Sequence, residues 1–396
     1  MSRRWIFPMI VLAACCAGTL ALALVAVPAT SSRAQGVAPA AELPARAQTV
    51  TPPPAPGLPF SQIPYYAEWA SSPHAAHAAL AFNHWNDEGT IPVSCAKCHS
   101  TPGFQDFLGA DGSAPGTVDH PAPIGTVITC NACHNDSAAL LSSVTFPSGL
   151  AVGNLGPSAR CMACHQGVES TKSVTAAVAG MPDDTVQPKL AFIDGHYTAA
   201  AAVMMGTLAQ GAYQYPGEHY AGRLVHPAPY TACTSCHETH TVMVKVEDCA
   251  ACHAGVTDMA ALRTIRMTVA DYDGRGNANE GMAQEVDNLE GKLLAAIQAY
   301  ARTVARTPIV YDGESYPYFF VDKNGNGKVD KGEAIFPNRY NAWTPRLLKA
   351  AYNYMLLVKE PGAYAHNPVY TVEILHDSIA DLGKKVPVDL AKAVRP

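Results

Sequence analysis

The alternation of apolar and polar residues divides the 396-residue chain into four unequal stretches. The first is an uncharged apolar run from about Trp5 to Val27, preceded by Arg3 and Arg4. Basic residues ahead of an apolar run are the pattern of an export signal, and Ala29 and Ala34 offer small-residue cleavage positions. The same run is long enough to cross a bilayer as a retained helix. Leu12-Ala13-Ala14-Cys15 also has the residue types of a lipid-attachment site, although the apolar run continues past Cys15. Signal peptide, membrane anchor and lipoprotein all remain open for residues 1–35. Each places the body of the protein in the periplasm or at the cell surface. Residues 36–64 are rich in Ala and Pro and include Thr51-Pro52-Pro53-Pro54-Ala55-Pro56-Gly57. Such a segment cannot bury a core and reads as an extended linker.

Residues 65–258 are expected to form loops and short helices with little sheet. His196-Tyr197-Thr198-Ala199-Ala200 opens an Ala-rich stretch predicted to be helical. Residues 259–396 carry clearer helical periodicity. Met282, Val286, Leu289, Leu293, Ile297 and Tyr300 recur at three- and four-residue steps, which predicts an amphipathic helix. Thr344-Pro345 and Asn367-Pro368 each pair a capping residue with a first-turn proline. They predict helices running to Lys359 and to about Leu382. The predicted fold class is mainly α with extensive loops.

Composition narrows the function. The apolar fraction of 48% and charged fraction of 15% exclude a disordered chain. The formal net charge of −6 provides no basic surface for nucleic acid. Of the 12 cysteines, ten form five C-x-x-C-H strings and the other two are Cys15 and Cys16, so none is left for a disulfide framework.

The strings are Cys95–His99, Cys130–His134, Cys161–His165, Cys233–His237 and Cys249–His253. In each, two thiols three residues apart can bond the two vinyl groups of one haem, and the following histidine supplies the proximal iron ligand. The covalent positions are therefore Cys95, Cys98, Cys130, Cys133, Cys161, Cys164, Cys233, Cys236, Cys249 and Cys252. The proximal ligands are His99, His134, His165, His237 and His253. A zinc site would pair its C-x-x-C units without a histidine after each, and a thioredoxin-like motif would occur once. Only 159 residues, from Cys95 to His253, serve five haems. That is too little chain to insulate them from one another, so a closely packed haem stack is expected over 65–258.

Ten other histidines can supply the sixth iron ligands. The candidates are His74, His84, His196, His226, His240 and His366, six residues for five positions, with His77, His120 and His219 in reserve. His240 stands three residues after His237 and cannot easily turn back onto the same iron, so a neighbouring haem is its expected partner.

In the C-terminal part, Asp322–Glu333 fits the twelve-residue calcium loop D-x-[DN]-x-[DN]-G-x5-E. Its ligands would be Asp322, Asn324, Asn326, the Lys328 carbonyl, Asp330 and Glu333, with Gly327 at the sharp turn. A chance match in a polar Gly/Asn loop is the plain alternative. Pro337 and the aromatic run Tyr316–Phe320 do not look like the helices of a sensor EF-hand, so any Ca2+ is expected to be structural. A second stretch, Asp271–Glu280, starts in the same way but has Met282 where Glu belongs; Glu280 or Glu285 are the substitutes. Residues 259–396 are thus expected to form a small helical domain with EF-hand-like loops.

Several strings resemble the multihaem c-type cytochromes of bacterial anaerobic respiration and extracellular electron transfer. They are Phe82-Asn83-His84-Trp85 with Ile91–His99, His196-Tyr197 ahead of Tyr213-Gln214-Tyr215-Pro216-Gly217, and Ala365-His366-Asn367-Pro368-Val369-Tyr370. The resemblance runs from about residue 65 to the C-terminus. It implies bis-histidine low-spin haems and electron transport. The resemblance supplies no partner; the expected ones are other cytochromes, quinol-linked donors or terminal reductases, with an oligomer or filament left open. The group also holds pentahaem nitrite reductases, whose catalytic haem sits on C-x-x-C-K. All five strings here end in His, which counts against that activity and leaves a reductase of a small nitrogen or sulfur oxo-species as the alternative.

Overall fold

The computed structural model describes residues 62–266 and 268–396. The readings made of residues 1–35, and of the linker up to residue 61, lie outside them. Among the described residues no helix is long and apolar enough to cross a membrane.

The described chain is mainly helical with three short antiparallel strand pairs: Thr90–Ile91 with Ala122–Pro123, Val144–Thr145 with Ala151–Val152, and Ile309–Tyr311 with Phe319–Val321. Up to residue 262 the helices are short, from four to eight residues. The Ala-rich stretch is helical only from Ala200 to Met205. His196 is held outside it with a φ of 76°, its N–H donating to Asp194 Oδ1 at 2.8 Å. That turn separates the imidazole from the helix and lets it project independently.

Three longer helices follow, where the periodicity predicted them. Met282–Thr303 buries Met282, Val286, Leu289, Leu293, Ile297 and Tyr300. Pro345–Val358 starts at Thr344, whose Oγ1 accepts the Leu347 N–H at 3.2 Å. Pro368–Gly383 starts at Asn367, whose Oδ1 accepts the Tyr370 N–H at 3.1 Å. Both caps satisfy donors that a first turn otherwise leaves open. The three helices pack on one another, and their core takes in Val174, Leu190, Val203 and Tyr213 from the preceding segment. Asn353, fully buried, tightens this join: Tyr213 N–H donates to its Oδ1 at 2.7 Å, and its Nδ2 donates to the Tyr213 carbonyl at 3.0 Å.

A second core gathers Phe104, Leu108, Phe146, Leu155, Met162, Ala163 and Met205. A third, smaller one holds Ile91, Ala96 and Ala122. Gly103 is required between them, because a Cβ there would collide with the Ala96 carbonyl of the helix Val93–His99.

Glu290, on the helix Met282–Thr303, has a pKa pushed up to about 7 by burial, with the Asp287 charge adding to it. The folded state therefore holds its proton more tightly than the unfolded chain, and stability falls as pH rises from the ordinary glutamate range through about 7. Glu290→Gln is expected to melt like wild type at pH 4.5 and to be more stable by about 2 kcal/mol at pH 8. Equal melting temperatures at both pH values would contradict this.

Candidate functional site

Each of the ten motif thiols is free. In four motifs both cysteines lie in one short helix: Val93–His99, Cys130–Cys133, Ser158–Cys164 and Cys233–Cys236. In the fifth, the helix Val246–Cys249 ends at the first cysteine and a turn carries Cys252. One turn of helix sets residues i and i+3 on the same side, so each pair presents two thiols along one edge with a histidine beyond. Ala96, Ala132, Met162 and Ala163, between the cysteines, are buried and anchor their turns.

The turns are packed together out of sequence order. Cys98 Sγ lies 4.0 Å from the Cys164 carbonyl, and Cys164 Sγ lies 3.7 Å from the Lys97 carbonyl. The Cys161 and Cys233 thiols are neighbours, and the Cys233 N–H donates to Ser158 Oγ at 3.1 Å. Arg160 Nη1 donates to the Cys133 carbonyl at 3.2 Å. The third turn therefore touches the first, second and fourth. The fifth adjoins the fourth, where the Lys245 N–H donates to the Cys236 carbonyl at 2.8 Å.

Histidines from outside the motifs stand opposite four of the motif histidines. The ring centres are 5.6 Å apart for His99 and His196, 6.3 Å for His134 and His240, 6.4 Å for His165 and His74, and 6.3 Å for His237 and His366. Imidazole nitrogens bind a first-row metal such as zinc at about 2.0–2.1 Å, so two imidazoles on opposite sides of one ion have ring centres roughly 6.3 Å apart. Three pairs match that span. In the fourth, Nε2 of His196 faces Nε2 of His99 at 3.4 Å, somewhat short of the roughly 4 Å an ion needs. His99, His165 and His237 each direct Nδ1 at a backbone carbonyl, of Ala81 at 2.8 Å, Thr198 at 3.1 Å and Val242 at 3.1 Å. A carbonyl only accepts, so Nδ1 carries the proton and Nε2 is left free to ligate. Burial, reinforced by the facing His165, lowers the His74 pKa to about 4. Burial also lowers His99, with His196 second, and lowers His196. All three are thereby held neutral, the form that binds metal.

The remaining two distal candidates are placed elsewhere. His84 is exposed, its ring perpendicular to Trp85 at 5.0 Å, and Trp85 in turn packs on His99. His226 is exposed in a loop. Among the described residues no histidine ring faces His253.

A family model described as cytochrome c7 and related cytochrome c matches residues 80–166, the segment holding the first three motifs. The C-type polyheme cytochrome OmcB of Geobacter sulfurreducens is 25% identical over 369 residues, covering 76% of this chain and 45% of the relative. The chain is similar to multihaem c-type cytochromes. The C-type polyheme cytochrome OmcC of the same organism is also 25% identical, over 362 residues, with 76% of this chain and 44% of OmcC covered. The chain spans less than half the length of these curated relatives. No solved structure gives a significant match. The chain's ten free thiols, in five pairs with a histidine after each pair, are the donor set that covalent haem requires.

The loop Asp322–Glu333 is closed by its own side chains. Asp322 accepts the Gly325 N–H on Oδ1 and the Gly327 N–H on Oδ2, both at 2.7 Å. Glu333 accepts the Lys323 N–H at 2.8 Å and the Asp330 N–H at 3.0 Å. Asn324 and Asn326 direct their amides at Asp330 Oδ2, at 2.6 and 2.7 Å; turning each amide over aims an oxygen at the same point. Gly327 takes the positive φ, 78°, that the sharp turn demands. Asp322 and Glu333 are buried, and among the described residues neither has a cationic side-chain partner. A strand, Phe319–Val321, leads into the loop and a single 3-10 turn, Phe336–Asn338, follows it. The second stretch differs. There Glu285 is hydrogen-bonded to Arg266, and Asn288 Nδ2 donates to Asp273 Oδ2 at 2.6 Å.

One residue in contact with a site histidine was not singled out by any motif. Glu360 lies six positions before His366, in a Lys-Glu-Pro-Gly turn that reads as a simple helix stop.

Proposed function

We propose that this cytochrome is an exported electron carrier with five covalent haems, four of them held between paired histidines. The pairs are His99 with His196, His134 with His240, His165 with His74, and His237 with His366. The observation that carries the reading is the recurrence of one ring-to-ring spacing, 5.6–6.4 Å, at four motifs far apart in sequence. Haem c, when bound, supplies a one-electron ferric–ferrous couple. The chain's contribution is to hold His74, His99 and His196 neutral, to face the imidazoles of each pair toward one another and to bring the attachment turns into contact. Those contacts favour a path in which the first and second sites meet at the third, with the fourth and fifth following.

Export, in agreement with covalent haem attachment outside the cytoplasm, puts the carrier in the periplasm or at the cell surface, where other cytochromes, quinol-linked donors or terminal reductases are its partners. The loop Asp322–Glu333 holds a structural Ca2+ through Asp322, Asn324, Asn326, the Lys328 carbonyl, Asp330 and Glu333.

His253 favours a second reading for one site, an iron accessible to a small nitrogen or sulfur oxo-species. Carbon monoxide added to the dithionite-reduced protein separates the two. The four paired sites are expected to keep their optical spectrum, so any change is confined to the fifth site. A response exceeding one haem in five would overturn the paired-histidine reading; a response of one haem with turnover of an oxo-anion would establish the reductase.

A further inference from the structure

Three of the motif histidines bond neutral backbone carbonyls through Nδ1. His366 does not. Its Nδ1 lies 2.9 Å from Oε1 of Glu360, and that same oxygen accepts the Gly362 N–H at 3.1 Å. Glu360 is buried, 3% exposed, and its Oε2 has no hydrogen-bond partner among the described residues. An oxygen already accepting one N–H can only accept the second, so Nδ1 of His366 is the donor and Nε2 points at His237, ring centres 6.3 Å apart.

The arrangement is built for close contact. Gly362 sits against the imidazole: a Cβ there would lie 2.6 Å from Cε1 and 2.8 Å from Nδ1 of His366. On the other side of the histidine, Asn367 Nδ2 donates to the Met204 and Gly222 carbonyls at 3.2 and 2.8 Å. The ring is thus fixed between a glycine turn and a tethered cap. No other site histidine has this partner. The nearest case is His240, whose Nδ1 is 3.9 Å from Glu238 Oε1, beyond hydrogen-bond reach, while Glu238 Oε2 receives the backbone N–H groups of His240 and Thr241.

We propose that Glu360 is a positioning residue that sets the potential of the fourth site: its buried carboxylate takes the Nδ1–H of His366, strengthens the imidazole as a donor and makes this site the lowest-potential member of the chain. A carboxylate behind a metal-bound imidazole raises ligand basicity, and a more basic axial ligand favours the ferric state. A charged hydrogen bond in a buried setting is stronger than the carbonyl bonds at the other sites. The inference rests on the reading that His237 and His366 share an iron.

The test is a spectroelectrochemical titration of the holoprotein with low-temperature EPR of the oxidised state, on wild type, His366→Ala, Glu360→Gln and Glu360→Asp. His366→Ala should convert one more haem to high spin than wild type shows; an unchanged low-spin count in that variant would remove the ligand reading and the proposal with it. With that result in hand, Glu360→Gln should keep the wild-type spin states and move only the lowest midpoint upward. At the wild-type midpoint of that site, its ferric-to-ferrous ratio should fall by roughly tenfold. Glu360→Asp, which retains the charge, should recover part of the shift. Unchanged midpoints in Glu360→Gln, beside a high-spin His366→Ala, would overturn the proposal and leave the ligand reading intact.

Discussion

Cys161→Ala/Cys164→Ala is expected to lose one haem in mass and to disturb the other sites far more than the equivalent change at Cys249 and Cys252. The third turn is the one that three others touch: Cys164 meets Cys98, Cys161 meets Cys233, and Arg160 holds the Cys133 carbonyl. Met162 and Ala163 are 1% exposed in the core that also contains Phe104, Phe146 and Met205. The Ala201 N–H donates to the His165 carbonyl at 2.8 Å, which ties the turn to the helix Ala200–Met205. Removing the group that fills such a junction resembles a large-to-small core substitution and should cost about 3–5 kcal/mol. Cys252 is exposed, so Cys249→Ala/Cys252→Ala should lose the same mass at little cost in stability. Intact mass, thermal melts followed in the haem bands, and stopped-flow reduction check all three points. Reduction of the remaining four haems should split into separate phases in the third-site variant and stay uniform in the fifth-site variant. Equal stability and equal kinetics in the two variants would refute a junction at the third turn.

Calcium removal is the second large effect. Asp322 and Glu333 are 2% and 3% exposed and are satisfied only by backbone N–H groups within the loop. Two buried carboxylates without a cation disfavour the folded loop, and a bound ion reverses that. An ion that binds only the folded state stabilises it by about 2.7 kcal/mol at a hundredfold excess over Kd. Wild type is expected to melt several degrees lower in chelator than in calcium. Glu333→Gln should melt at one temperature in both, because it removes the ligand expected to grip the ion with two oxygens. Asp322→Ala should be worse than chelation, since it also strands the Gly325 and Gly327 N–H groups. Identical wild-type melts with calcium and with chelator would rule out a structural ion here.

Much of this protein is local, and the local part was legible in the order of residues. A C-x-x-C-H string specifies a thiol pair and an adjacent imidazole within one helical turn, wherever that turn sits. Thr344-Pro345 and Asn367-Pro368 start helices because a capping oxygen and a proline act on their own first turn. The periodicity of Met282–Tyr300 names its buried face for the same reason. The loop Asp322–Glu333 closes through side chains no more than ten residues from the groups they bind.

What crosses the sites was not legible. Two histidines that face each other across one position need no sequence relation: His196 is 97 residues from His99. Their pairing depends on the helices Pro345–Val358 and Pro368–Gly383, on Asn353 holding Tyr213, and on the turn at Asp194 that frees His196 from its helix. Candidate counting selected six histidines. The fold set four of them opposite motif histidines and left His84 and His226 exposed. Glu360 had no motif to mark it, because a carboxylate becomes a partner for an imidazole only when a glycine turn brings the two together. Residue order determined which groups can bind and where each turn begins; tertiary packing decided which groups meet, because a ligand pair is defined by a distance in space that sequence separation does not constrain.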